Sequence, residues 1–376
     1  MTTTKKPLTF FASFPNPNLP ESPRGGYRRN IEMLRLLANN YHTTLVIGSP
    51  YDFQLETNLS VKPIVVAHPR MPFRWIKIFK YLRKHCSPQT PLICYNPTLH
   101  TLPALWLRWL GWMVIVDYVD IQGTTVESTN SLLRLLGVLV EKSFIRCCRY
   151  FITSSTSIQK QIRTLNSTAN IHLYRGTFQP EDWGKTMLKI DLPPETVKIL
   201  YLGMMQDFSG VRELLKAFID LNPSRAHLYI AGHGPEKQFC VDLANKFTSG
   251  TVSFPELDDT LLHPFMQQMD ILTVPYLEAP RNQANFPSKI IEYLWAGKAI
   301  LGTQVGEIQR TLEDGRTALL VPPNEIGLRA GLWQLIEDQE LRKRLGHNAS
   351  AEFYKHYAPD IASEALYAFI SAAKGG

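Results

Sequence analysis

Short apolar runs at strand period alternate with longer segments at helical period over residues 7–176. The runs 8–14, 44–47, 64–67, 92–95, 113–118 and 150–153 are rich in β-branched and aromatic residues and predict strands. Between them, 26–40, 72–85, 101–110, 131–148 and 155–165 repeat their apolar positions every three to four residues and predict helices. The rhythm restarts after a Pro-containing stretch, 179–195. Strands are then expected at 198–201, 226–231, 251–254, 271–274, 299–302 and 318–321, and helices near 211–220, 234–247, 261–269, 287–296, 306–312 and 326–335. Such alternation makes a parallel sheet with helices on both faces. The expectation is an α/β chain of two doubly wound domains in tandem, residues 1–178 and 179–359, with an amphipathic last helix within 360–376 crossing back to the first. Ligands of such sheets sit outside the carboxyl ends of the strands, and two facing sheets make a cleft between them.

Composition narrows the class. A chain of 376 residues, 44% hydrophobic, fills two cores of about 150–200 residues each. No apolar run reaches the roughly 18 residues of a membrane span; the longest, 102–116, is broken by Pro103 and Arg108. The N-terminal run 8–14 is too short for a signal core and ends at Pro15. A protein of the cytoplasm, free or peripheral on the inner face of the membrane, is expected. The five cysteines show no metal or C-x-x-C spacing and predict reduced thiols. Charge is unevenly spread. Residues 1–178 hold 21 Lys+Arg against 8 Asp+Glu, and residues 179–376 hold 19 against 25. No acidic residue lies between Ser60 and Val116. The first half therefore expects an anionic partner.

Chemistry concentrates in Asn285-Phe286-Pro287-Ser288-Lys289-Ile290-Ile291-Glu292. Pro287 suits a first helical position, which leaves the amides of Ser288 to Ile290 as donors at a positive dipole end. Lys289 adds a cation there. Glu292, one turn onward, places a carboxylate where two sugar hydroxyls can be accepted. Taken alone, the same text also describes an ordinary capped helix with a solvated i,i+3 pair. In the first half, Pro23-Arg24-Gly25-Gly26 follows strand one and opens a helix, and Asp117-Tyr118-Val119-Asp120 ends a strand. No D-x-D metal box occurs at a strand end: Asp258-Asp259 and Asp117-x-x-Asp120 are wrongly spaced. No metal and no cofactor are expected.

From Phe286 to Pro323 the chain resembles the C-terminal signature of retaining family 4 glycosyltransferases (glycosyl transferases group 1). Its A-x-G-K-P-[IV] and D-G-x-x-G-x-L-V-P-P elements match Ala296-Gly297-Lys298-Ala299-Ile300 and the run from Asp314 to Pro323. Upstream, Tyr201-Leu202-Gly203 with Asp207–Val211 resembles the family's first C-domain strand and loop. Ile230 to Pro235 resembles its I-x-G-x-G-P turn, and Val252-Ser253-Phe254 its base-pocket strand. The resemblance implies a GT-B fold, two Rossmann-like domains facing across a cleft, and a metal-independent hexosyltransferase of the EC 2.4 class. It implies a nucleotide-sugar co-substrate, UDP- or GDP-linked, held by Gly25, Gly26, Gly203, Ser209, Arg212, Gly234, Phe254 and Asn285 to Ile290 with Glu292. Asp120 and Lys289 are the implied catalytic residues. Glu141 resembles the acidic residue before the next strand and is read as structural. Three departures stand out: the family's first Glu falls at Ala284, and its diphosphate-loop Arg and Lys fall at Met204 and Ser209. Arg212 and Arg281 are candidates to supply the missing cations. A degraded member that binds a nucleotide sugar or membrane without turnover is the alternative.

Arg70, Arg74, Lys77, Lys80 and Lys84 fall at the spacing of one helical face, with Trp75, Ile78, Phe79 and Leu82 on the other. This pattern suits an anionic bilayer and a lipid-linked or amphiphilic acceptor. It equally suits a surface helix packed on its sheet. Trp106, Trp109 and Trp112 either extend this patch or fill the core, and core filling is the preferred reading. No nucleic-acid reading motif is present, and no nucleic-acid partner is expected.

Overall fold

The computed structural model describes residues 5–12, 24–49, 61, 63–67, 72–121, 131–179, 193, 195–247 and 251–375. The chain divides into two compact units, residues 1–177 with 359–376, and residues 178–358.

Unit 1 is built on a seven-stranded parallel sheet in the order β3-β2-β1-β4-β5-β6-β7. Its strands are β1 (Lys6–Ala12), β2 (Tyr41–Ser49), β3 (Pro63–Ala67), β4 (Leu92–Tyr95), β5 (Val114–Tyr118), β6 (Tyr150–Thr153) and β7 (Asn170–Leu173). Period-two alternation sorts side chains to opposite faces. Leu8, Phe10 and Ala12 of β1 enter one core, and Phe11 the other. The first core is closed by α1 (Arg24–Asn40) and the C-terminal helix (Pro359–Gly375), whose Leu366 and Ile370 are fully buried. The second is closed by α2 (Phe73–His85), α3 (Leu102–Trp109), α4 (Ser131–Cys147) and α5 (Thr156–Leu165). Burial on both faces explains why the strands read as unbroken apolar runs.

Unit 2 repeats the plan with six parallel strands in the order β10-β9-β8-β11-β12-β13. They are β8 (Val197–Leu202), β9 (Ala226–Ala231), β10 (Val252–Ser253), β11 (Ile271–Val274), β12 (Ala299–Thr303) and β13 (Leu319–Val321). Its helices are α6 (Val211–Leu221), α7 (Lys237–Phe247), α8 (Asp259–Gln267), α9 (Pro280–Ala284), α10 (Lys289–Ala296), α11 (Gly306–Thr311), α12 (Glu325–Glu337) and α13 (Gln339–His356). The C-terminal helix, Pro359–Gly375, is α14.

Strand β7 and helices α9 and α13 were not expected from the pattern. β7 is a four-residue edge strand with three half-buried positions. α9 is a single turn. α13 is highly polar, with its buried residues limited to Leu341, Leu345, Gly346, Ala349 and Phe353, so its apolar stripe is thin. The five cysteines are free thiols. Among the described residues no helix is long and apolar enough to cross a membrane.

Candidate functional site

In each sheet the strand order reverses once, between β1 and β4 in unit 1 and between β8 and β11 in unit 2. The carboxyl ends flanking such a reversal form the natural ligand crevice of a doubly wound sheet. Of the residues singled out from sequence, Gly203 and Lys289 lie at the unit 2 reversal, and Asp120 follows β5, one strand beyond the unit 1 reversal. Phe254 instead follows the edge strand β10, and the basic residues Arg74, Lys77, Lys80 and Lys84 sit on α2.

In unit 2 the chain leaves β8 through Gly203, whose φ of +137° favours glycine. A Cβ at this position would lie 2.6 Å from the Lys289 Nζ, so the absent side chain makes room for the lysine. Lys289 donates to the Leu202 carbonyl. Its ammonium lies 5.2 Å from the Tyr201 ring centroid and 5.3 Å from that of Tyr276, within cation–π range. Burial brings its pKa down to about 8, with Glu292 pulling the other way. A cation is thus held at the reversal point by a carbonyl and two aromatic faces.

Glu292 is bound from behind by His263 of α8, Nε2 to Oε2 3.1 Å. His263 is 1% exposed. It stacks on Phe178 at 4.8 Å and meets Trp295 edge-on at 6.1 Å. The clamp fixes the carboxylate's direction. Nothing in the local sequence marks His263, which lies 29 residues away.

The helix start differs from expectation. α10 begins at Lys289, with Ser288 as its cap in helical backbone (φ −54°, ψ −28°). The Ile290 amide bonds to the Pro287 carbonyl at 3.0 Å, and that of Ile291 to Ser288 at 3.1 Å. The entry is therefore a tight i→i+3 turn that uses the Ile290 amide internally, and Pro287 precedes the helix instead of opening it. Pro287 and Ile290 are buried, while Asn285, Phe286 and Ser288 are half-buried. Phe286 packs on the core beneath the site, and Phe254, also half-buried, on the core of the opposite face.

The loop after β8 is closed on itself. The Ser209 hydroxyl donates to the Gln206 carbonyl at 2.6 Å and accepts from its amide at 3.2 Å. Gly234 (φ +142°) lets the next loop pass so close that a Cβ would collide with the Met205 carbonyl. Arg212 forms an ion pair with Glu236 and stacks over Phe239 at 4.1 Å. Arg281 covers Phe208 at 5.1 Å. Asn282 donates to the Phe208 and Leu277 carbonyls, both at 2.8 Å, and ties this loop to the one after β11. Ala284 is buried. The cation expected from Arg212 is already matched by Glu236.

In unit 1, Asn96 follows β4 in left-handed backbone (φ 54°). Its Oδ1 accepts from the Val119 and Asp120 amides at 2.8 and 3.1 Å, and its Nδ2 donates to Asp120 Oδ2 at 3.3 Å. Half-buried Asp120 is thereby fixed beside the reversal point. Asp117 points elsewhere, into a fully buried bidentate pair with Arg29, both contacts 2.9 Å. Arg29 also donates twice to the Tyr174 carbonyl and lies over its ring. Burial pushes the Asp117 carboxyl up and Arg29 draws it back. Glu141 is buried and accepts from the Tyr118 hydroxyl, a structural placement. Gly25 and Gly26 lie within the first turn of α1, which begins at Arg24.

The basic helix α2 departs from the single cationic face. Arg74 is 4% exposed, its guanidinium 2.7 Å from His100 Nδ1. At about 100° per residue, Arg74 falls some 60° from Lys77 and 40° from Ile78, and so joins the buried sector. Lys77, Lys80 and Lys84 are exposed. Arg70 lies outside the described residues. Trp75 is half-buried and packs edge-on against Trp106 at 6.3 Å. Of the three tryptophans read by preference as core filling, Trp112 is buried, Trp106 is half-buried between α2 and α3, and Trp109 is 61% exposed.

Residues 196–338 match the family Glycosyl transferases group 1. The chain is 23% identical over 158 residues to an uncharacterized glycosyltransferase of Methanocaldococcus jannaschii, covering 41% of this chain and 39% of that one. It is 25% identical over 169 residues to the phosphatidyl-myo-inositol mannosyltransferase of Mycolicibacterium smegmatis, covering 44% and 42%. It thus spans about two fifths of the length of these curated relatives. Among solved structures, a sucrose-phosphate synthase from Thermosynechococcus elongatus superposes with a TM-score of 0.75 at 17% identity, over 98% of this chain and 100% of the other. HepE of Anabaena in complex with UDP superposes with a TM-score of 0.74 at 13% identity, over 97% and 100%. The fold is therefore GT-B, two Rossmann-like parallel-sheet domains, with a glycosyl transferases group 1 domain in unit 2.

Proposed function

We propose that this protein transfers a hexosyl group from a UDP- or GDP-sugar to a lipid-linked or amphiphilic acceptor, with retention of configuration and without a metal ion. The observation that carries the reading is the convergence of Lys289, Glu292 and the Gly203 turn at the strand-order reversal of unit 2, inside the matched stretch. The complex of HepE with UDP and the name of the mycobacterial mannosyltransferase support a nucleotide-sugar donor and a lipid-bearing acceptor.

Unit 2 holds the donor in this reading, with Lys289 beside the diphosphate and Glu292 accepting from sugar hydroxyls. As the bond to the leaving diphosphate breaks, negative charge grows on its oxygens, and a preoriented cation stabilises that charge more than it stabilises the bound donor. The departing phosphate, on the same face as the acceptor, takes the acceptor proton. Asp120, oriented by Asn96, binds the acceptor hydroxyl or the transferring sugar. The reaction takes place in the cytoplasm, at the inner membrane face.

A second reading has its own support: Ser209 is spent within its turn, Arg212 is matched by Glu236, and Met204 and Ala284 replace charged groups. A protein that binds donor without turnover would be built this way. Thermal shift with UDP, GDP and their sugars, followed by donor hydrolysis, separates the two. Glu292→Ala is expected to weaken binding of the stabilising nucleotide sugar about tenfold or more while leaving the fold intact. Unchanged affinity would sink the site; binding with no hydrolysis of any donor would favour the second reading.

A further inference from the structure

On the sheet face that carries α2, α3 and α4, the outward surface is both apolar and cationic. An open trough of about 800 Å³ runs between α2 and α3. Its floor is Phe79 and Trp106, edge to face at 5.8 Å, and its outer lip is Trp109 and Leu110, 61% and 57% exposed. Lys80, Arg83 and Lys84 line the α2 side, all exposed. α4 lies beside α3, joined by Arg108 to the Cys147 carbonyl at 2.9 Å. Five of its leucines, at 132, 133, 135, 136 and 139, are 40% to 62% exposed. At about 100° per residue they share an arc of roughly 160°.

Single exposed leucines are ordinary, but five on one arc beside an exposed Trp-Leu pair are not. The charge around them identifies what covers them. The cations of α2 stand in a stretch without one carboxylate from Ser60 to Val116, so the patch is complementary to a surface that is anionic and apolar beneath. Lysine and arginine stems reach along apolar surface while their charged ends stay at headgroup level, and tryptophan favours the same interface.

We infer that the outward surface of α2, α3 and α4 docks this protein on an anionic lipid bilayer, with Trp109, Leu110 and the α4 leucines in the acyl boundary and Lys80, Arg83 and Lys84 at the phosphates. The inference rests on the amphiphilic-acceptor reading for its purpose, since it places unit 1 where such an acceptor resides. Its test needs no turnover.

The test is co-sedimentation of the full-length protein with vesicles of phosphatidylcholine alone and of phosphatidylcholine with phosphatidylglycerol. Binding to the anionic vesicles is expected to exceed binding to the neutral ones by at least roughly tenfold. Lys80→Glu with Lys84→Glu is expected to remove most of that preference. Trp109→Ser with Leu110→Ser, and separately Leu135→Ser with Leu139→Ser, are each expected to lower vesicle binding about tenfold or more, with circular dichroism and the thermal shift on UDP unchanged for the Trp109 and Leu110 pair. Equal binding to both vesicles, or variants that bind like the parent, would overturn the docking surface. So would heparin binding as tight as vesicle binding, because the cations would then serve any polyanion. Loss of vesicle binding with UDP binding intact strikes this inference alone. Vesicle binding without nucleotide binding strikes the transfer reading instead.

Discussion

Lys289 combines a buried amine, a single carbonyl acceptor and two aromatic faces, and its pKa of about 8 makes its charge sensitive to mild alkali. The free protein carries the cation below that value and loses it above. A diphosphate prefers the cation, so affinity for UDP is expected to fall as pH rises through about 8, by calorimetric titration between about pH 6.5 and 9. Lys289→Met should flatten this profile and weaken UDP binding near neutrality; a profile identical to the parent's would remove Lys289 from the site. Stability moves the opposite way. The unfolded lysine titrates higher, so between about 8 and 10.4 the unfolded chain binds more protons and stability rises with pH. Lys289→Met is therefore expected not to lower Tm. At this scale the sequence was legible only where partners are close along the chain. The spacing of Lys289 and Glu292 is visible in eight letters, whereas Arg29 with Asp117 spans 88 residues and His263 with Glu292 spans 29. Only the folded sheet brings those together.

Elements were legible where the apolar stripe is strong and illegible where it is thin or where a polar residue occupies the stripe. The central strands, buried on both faces, could be read almost to their ends, but the edge strand β7 and the polar helix α13 could not. α2 shows the finer failure. Spacing alone put Arg74 with the other cations, yet its angle places it beside Ile78, where His100 meets it. The two positions should therefore respond differently to the same change. Arg74→Met is expected to cost about 1–3 kcal/mol, since the 4% exposed Arg74 side chain loses its packing and its bond to His100, while Lys77→Met, at an exposed position, stays within about 0.5 kcal/mol. Denaturant melts of the two variants decide it. Equal effects would mean that Arg74 is as solvated as Lys77. The helix start at Lys289 teaches the same lesson, because a proline read as the first helical residue precedes a tighter turn.

For the whole molecule, the chain order and the spatial division do not coincide. Residues 359–376 follow unit 2 in sequence and belong to unit 1. There Tyr367 donates to the Leu36 carbonyl and meets the Tyr41 ring at 5.9 Å, and Phe369 stacks on His172 at 5.4 Å. Amphipathicity announced the helix and its return to the first domain was expected; Leu366 and Ile370 of its stripe join the core that α1 also closes. Removing the segment tests the division directly. Leu366 and Ile370 are fully buried, each contributing about 1.5–3 kcal/mol, so a chain ending at Ala358 leaves the α1 face of unit 1 uncovered and loses several kcal/mol there. Calorimetry of the truncated chain is expected to show an early transition or aggregation from unit 1. The later transition, belonging to residues 178–358, should still shift upward with UDP, because Lys289, Glu292 and His263 all lie within that unit. A truncation that lowered both transitions together, or abolished the UDP shift while unit 2 remained folded, would mean that the donor site draws on unit 1. The two units would then not divide donor and acceptor as proposed.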